Sequence, residues 1–130
     1  IHSHMTALGK AGKYDYCSVA GAGLALYCGG CCAADGVVLD AWKSTILSNI
    51  KIAETIHDIK EVWIFAHEDC RGCKKFDPTA IAQGGELNYH TKSMEAIRCM
   101  MHEIFSEMII KTFYIHGPVG STGFAEITEL

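Results

Sequence analysis

The chain has 130 residues, of which 49% are hydrophobic and 20% charged, and it carries a formal net charge of −4. This composition is typical of a soluble globular domain, and a chain of this length can bury a substantial hydrophobic core. The negative charge argues against nucleic acid as a partner. No apolar stretch approaches the roughly 20 residues of a membrane span, which argues against a membrane. We therefore expect a single cytoplasmic domain that covers residues 1–130.

The first half of the chain predicts a strand, a helix and a second strand. Residues 14–20 are rich in β-formers and run into Gly21-Ala22-Gly23, where the backbone can turn tightly or approach a ligand closely. Apolar residues at spacings of three and four predict a helix over residues 38–59. The apolar run 61–66 then predicts a buried strand that ends just before His67.

The second half continues this alternation. Glycines and a proline predict a loop over residues 71–87, lying above the strand ends. A second amphipathic helix is expected over residues 87–108, with methionines filling its core face, and strands are expected over 109–116 and 124–128. The order of elements predicts an α/β fold in which helices flank a mostly parallel β-sheet.

The main candidate site follows the strand at 61–66. An imidazole and a thiolate are both good zinc ligands, and the spacing of His67 and Cys70 allows a chain leaving a strand to bring them to one point. The carboxyl end of a strand is also where open α/β sheets place their sites. The alternative is a histidine that ends a strand beside a buried structural cysteine, and the spacing alone does not decide between the two.

The seven cysteines suggest a second kind of site. In a chain with α/β patterning, reduced thiols and metal binding are favoured over a disulfide framework. Cys28-x-x-Cys31 and Cys70-x-x-Cys73 are therefore candidates for a four-cysteine structural zinc site or a redox centre. The redox interpretation is less favoured, because neither pair is expected to open a helix. The other histidines, including His90, are interpreted as surface residues or as core residues with satisfied hydrogen bonds.

Three segments together resemble a known family. They are Tyr-Asp-x-x-Ser-Val-Ala-Gly-Ala-Gly at 14–23, Ile-His-Asp-Ile-Lys-Glu-Val-Trp-Ile at 56–64 and His-Glu-Asp-Cys at 67–70. This pattern resembles the β-class carbonic anhydrases, and more closely their compact, poorly characterised relatives, over roughly residues 14–76. The resemblance implies a β-carbonic anhydrase-like fold. It also implies that His67 and Cys70 are two of three protein ligands to a catalytic Zn²⁺, and that Gly21, Ala22 and Gly23 border the substrate pocket.

The function implied by the resemblance is that of a zinc-dependent lyase acting on a small molecule. Zinc-bound hydroxide would hydrate carbon dioxide to bicarbonate, and the protein would form a homodimer. No residue beyond the metal ligands is assigned a catalytic role. The alternatives are a non-catalytic metal-binding relative, and a four-cysteine zinc or redox module built on Cys28, Cys31, Cys70 and Cys73.

The chain departs from the family at the third metal ligand. The family supplies that ligand from a Cys-x-Asp-x-Arg motif at the end of its first strand, and this motif is absent here. His4 is the residue in roughly the right place that can bind metal, with Cys17 as a second choice. The segment before Tyr14 is also shorter than the first strand and helix of the family. The chain is therefore expected either to lack its beginning or to have a rebuilt site.

Overall fold

The computed structural model describes residues 1–18, 23–27, 36–76, 78–117 and 126–130. Within these residues the chain is a mixed α/β structure of helices and a small sheet. No helix of the described part is long and apolar enough to cross a membrane. The elements in chain order are α1 (His2–Ala7), α2 (Leu24–Tyr27), α3 (Gly36–His57), β1 (Glu61–His67), α4 (Arg71–Phe76), α5 (Pro78–Gly84), α6 (Glu86–Ile104), β2 (Ile109–Ile115) and β3 (Ile127–Glu129).

The described strands form one sheet in the order β1-β2-β3. β1 and β2 run parallel along their whole length, so that His67 lies opposite Ile115. β3 pairs antiparallel with β2. The sheet is thus mixed, where a mostly parallel one was expected. Only residues 116–126 separate β2 from β3, fewer than the roughly dozen residues that a crossover to a parallel strand requires.

One face of the sheet packs against α6 and forms the main core. Alternation along β1 turns Ile64 and Ala66 toward this face, where they meet the buried stripe of the helix. The methionines of the stripe fill the core as expected. The buried members of the cluster are Leu26, Ile64, Ala66, Met94, Ile97, Met101, Phe105, Met108, Ile110 and Tyr114.

The two long helices and the strands around them match the expectations closely. α3 begins two residues before the helix expected over residues 38–59 and ends two residues before its predicted end, and β1 includes His67 as its last residue. α6 ends at Ile104 rather than at residue 108, and β2 begins at Ile109 as expected. The short β3 begins three residues later than predicted.

The prediction of a loop over residues 71–87 is wrong, because α4 and α5 occupy most of this segment. Pro78 is the first residue of α5, a position where a missing N–H costs nothing and the fixed φ of proline suits the helix. Gly85 has φ of 77°, a left-handed conformation that glycine adopts without strain, and it separates α5 from α6. The proline and the glycine therefore mark helix boundaries here.

The strand expected over residues 14–20 is also not found in the described part of that segment, since residues 14–18 belong to no strand or helix. The glycine segment after it is described only at Gly23. A Cβ atom at this residue would lie 3.1 Å from Ile97 Cδ1 and 3.3 Å from Met94 Cε. The backbone at Gly23 is therefore closely approached by other atoms, as expected for these glycines. The approaching atoms belong to core side chains. Leu24, Ala25 and Leu26 are buried within the chain itself.

Truncation of the core stripe of α6 is expected to destabilise the fold. Met101 is fully buried, and Met101→Ala should lower the free energy of unfolding by about 2–5 kcal/mol, because it leaves a cavity under the sheet. Ile104 lies on the same helix but is half exposed, so Ile104→Ala should change the free energy by no more than about 0.5 kcal/mol. Urea denaturation of both variants measures the two changes in unfolding free energy. Equal losses of unfolding free energy would contradict the burial of Met101.

Candidate thiol and imidazole site at the end of β1

The structure brings together the two residues of the predicted ligand pair. His67 ends β1 and Cys70 stands directly before α4. Between them Asp69 adopts φ of 58°, a left-handed conformation that aspartate tolerates better than most residues. The resulting tight turn lets the side chains of His67 and Cys70 form a hydrogen bond.

The hydrogen bonds at Cys70 favour the thiolate. The pKa of Cys70 is lowered to about 4, first by the hydrogen bond from Cys73 and then by the bond with His67. Burial acts in the opposite direction, and it would raise the pKa of a purely structural cysteine. The hydrogen bonds outweigh the burial, so the lowered pKa of Cys70 favours the thiolate at neutral pH.

His67 carries the complementary charge. Its hydrogen bond with Cys70 is the main cause that raises the pKa of His67 to about 9. His67 Nδ1 lies 2.9 Å from the backbone oxygen of Glu68. Because a carbonyl oxygen only accepts, Nδ1 holds a proton and Nε2 is left to face the thiol. A thiolate and an imidazolium therefore face each other at neutral pH.

Cys73 extends the site into the first turn of α4. Cys70 precedes this helix and Cys73 is its third residue, so the Cys-x-x-Cys pair does open a helix, contrary to the expectation from sequence. Both cysteines are 1% exposed and lie in one buried cluster. The buried members of this cluster are Leu24, Ala25, Cys70, Cys73 and Tyr89, with Trp42, Ile46 and Ile81 packed against them.

Two residues of α6 complete the buried surroundings of the thiol, and sequence reasoning missed both. Glu86 Oε1 accepts a hydrogen bond from the backbone N–H of Cys70 at 2.7 Å. His90 Nε2 lies 3.8 Å from the same oxygen. His90 is 2% exposed, burial lowers its pKa, and Nε2 has no hydrogen-bond partner in the described structure. The signal was the four-residue spacing of Glu86 and His90, which places both on one face of a helix.

The rim of the site is charged and tied to the neighbouring elements. Lys74 forms an ion pair with Asp69, which raises the pKa of the lysine and lowers that of the aspartate. Lys74 Nζ also lies 3.9 Å from Glu86 Oε2. Glu68 Oε2 accepts the backbone N–H of Gly117 at 2.6 Å. These contacts connect the turn after β1 to α4, to α6 and to the end of β2.

Of the other predicted site residues, the structure describes His4, Cys17, Gly23 and Cys73. His4 lies in α1, with its ring centroid 6.4 Å from that of Trp63 and 6.2 Å from that of Phe113. Gly21, Ala22, Cys28 and Cys31 lie outside the described residues. Across the described ranges, no group of three or more histidine, cysteine, aspartate or glutamate side chains is arranged to hold a metal ion.

No protein-family model matches the chain, and no solved structure matches it. A similar protein of Rickettsia bellii (strain RML369-C) is 27% identical over 111 residues, which cover 84% of this chain and 63% of that protein. The chain thus spans less than two thirds of this relative, which carries the description "Uncharacterized protein". This likeness assigns no activity.

The imidazolium of His67 is expected to depend on Cys70. In Cys70→Ser the thiolate is lost, so the pKa of His67 should fall from about 9 toward the ordinary value near 6.5. Cys99 is exposed and lies on α6, so Cys99→Ser should leave the pKa unchanged. Titration of the histidine ring protons by NMR measures both. An unchanged pKa of His67 in Cys70→Ser would contradict the pairing.

Glu86 is expected to stabilise the turn through the backbone of Cys70. Glu86→Ala should cost about 1–3 kcal/mol of unfolding free energy, because the N–H of Cys70 loses its acceptor. Glu95 is exposed on the same helix, and Glu95→Ala should cost no more than about 0.5 kcal/mol. Urea denaturation compares the two variants. A loss in Glu86→Ala no larger than in Glu95→Ala would show that the bond contributes nothing.

Proposed function

We propose that His67 and Cys70 are part of a zinc site of the β-carbonic anhydrase type, on a fold of that family, and that the protein hydrates carbon dioxide to bicarbonate. The observation that carries this proposal is the side-chain contact of an imidazole and a thiol at the carboxyl end of a parallel strand. The resemblance of the segments 14–23, 56–64 and 67–70 to that family supports it. The homodimer expected from the same resemblance stays a prediction.

The donors fit zinc in their chemistry. Zinc binds thiolates and neutral imidazoles. The hydrogen bonds of Cys70 already favour its thiolate, whereas His67, protonated without metal, has to release its Nε2 proton when zinc binds. His67 Nδ1 donates to the carbonyl oxygen of Glu68, as the non-coordinating nitrogen of a zinc-bound histidine commonly does. Nε2 of His67 and Sγ of Cys70 are thus the two donor atoms. The described residues supply these two zinc ligands. They contain no group of three such side chains arranged to hold a metal ion.

Zinc bound in such a site would act as a Lewis acid and lower the pKa of its bound water to about 7. The residues of the chain position the ligands and shape their surroundings. Glu86 holds the backbone of Cys70 in place, and the ion pair of Asp69 with Lys74 fixes the turn between the two ligands. The apolar side chains around Cys70 exclude bulk water and offer surroundings suited to an apolar substrate such as carbon dioxide.

Loss of zinc on substitution of either donor tests the metal site. The purified chain is stripped with a chelator, reloaded with zinc and dialysed, and its metal content is measured. His67→Ala and Cys70→Ser should each lose zinc, because two ligands of one site are removed in turn. Cys99→Ser should retain it, since that thiol is exposed and remote in sequence from the pair. Hydration of carbon dioxide, followed by stopped flow with a pH indicator, should require both donors.

Each alternative gives a different result in the same experiment. Stoichiometric zinc without hydration above the buffer rate would overturn the enzymatic part and indicate a non-catalytic metal-binding relative. Loss of zinc in Cys31→Ser with retention in His67→Ala would overturn the site itself and indicate a four-cysteine centre.

A further inference from the structure

Cys70 belongs to two sequence patterns, His67-x-x-Cys70 and Cys70-x-x-Cys73, and the zinc proposal uses only the first. The second is the pair with Cys73, whose side chain hydrogen-bonds to that of Cys70. One cysteine directly precedes α4 and the other lies in its first turn. Residues three apart at such a position lie on one face of the helix, and both belong to the same buried cluster. Two thiols in contact on one turn are placed to form a disulfide without a large movement of the backbone.

We propose that Cys70 and Cys73 form a dithiol that hydrogen peroxide converts reversibly into an intramolecular disulfide. Burial decides the class of oxidant. Each residue is only 1% exposed, so a peptide or protein disulfide has no room to place its sulfur atom against the attacking thiolate. Hydrogen peroxide has about the size of a water molecule and needs no docking surface. The proposed substrate of this site is therefore a small hydroperoxide.

The reaction proceeds in two steps. The thiolate of Cys70 attacks one peroxide oxygen, so that an S–O bond forms, the O–O bond breaks and hydroxide leaves. Sulfur is oxidised by two electrons to sulfenic acid and peroxide is reduced. The thiol of Cys73 then attacks the sulfur of Cys70. The S–S bond forms, the S–O bond breaks, and the departing hydroxide takes the proton of Cys73 to leave as water. A dithiol reductant restores both thiols by exchange once the buried bond is made accessible by unfolding of the chain.

The inference does not rest on zinc, but it has a consequence for the proposed site. A disulfide sulfur is no longer a thiolate, so Cys70 cannot bind zinc while it is joined to Cys73. Oxidation and zinc binding by Cys70 therefore exclude each other. The test uses metal-free chain, so that a failure of the zinc proposal and a failure of this one remain separate results.

The chain offers a direct way to map the bond. Trypsin cleaves after Lys60, Arg71 and Lys74, so Cys70 falls on the peptide 61–71 and Cys73 on the peptide 72–74. After brief treatment with hydrogen peroxide and blocking of free thiols, mass spectrometry should find these two peptides joined, with the loss of two hydrogens. Dithiothreitol should separate them again. Two unjoined peptides with blocked thiols, or Cys70 joined to any other cysteine, would overturn the proposal.

Two variants make the test specific. In Cys73→Ser the second thiol is missing, so Cys70 should stop at sulfenic acid. Because Cys70 is buried, the treated chain is unfolded in the presence of dimedone, which traps the sulfenic acid as an adduct on the peptide 61–71. Cys99→Ser removes an exposed thiol on α6 and should leave the joined peptides unchanged. Absence of the dimedone adduct in peroxide-treated Cys73→Ser would show that Cys70 is not the attacking thiol and would overturn the mechanism.

Discussion

The parallel pairing of β1 with β2 is the constraint on which the rest of the structure depends. Parallel strands cannot be joined by a tight turn, so the chain has to leave the carboxyl end of β1 and return to the opposite end of the sheet. α4, α5 and α6 make this return. The site follows from that path. His67 is the last residue of the strand, Cys70 begins the crossover, and the first turn of α6 passes close enough for Glu86 to accept the N–H of Cys70.

Two opposing effects act on the thiol of Cys70, and their balance sets its pKa. Burial among apolar side chains raises the pKa of the thiol, whereas the hydrogen bonds from Cys73 and His67 lower it, and the hydrogen bonds prevail. His90, which lies nearby without a bond to the thiol, shows the opposite balance. Burial dominates there and lowers the pKa of the imidazole, so a neutral ring stands close to the charged pair.

Sequence reasoning predicted the elements with strong periodicity and the contact between His67 and Cys70. α3, β1, α6 and β2 each carry an apolar pattern that packing imposes on one face, which is half-buried in α3, and such a pattern is visible without the fold. The helices α4 and α5 were missed because glycine and proline mark helix ends as readily as loops. Glu86 was missed for another reason. Its partner is the backbone of a residue 16 positions away, and no local pattern reports a long-range bond of this kind.

The position of Cys70 between two partners is the reason why we propose two chemistries for one residue. His67 lies three residues before it and Cys73 three residues after it, and both side chains form hydrogen bonds to it. The strand end supplies the first contact and the helix turn supplies the second. Zinc binds a thiolate, and a disulfide sulfur is no longer a thiolate. At the junction of β1 and α4, the two proposed states are therefore alternatives, because each requires the sulfur of Cys70 for a different bond.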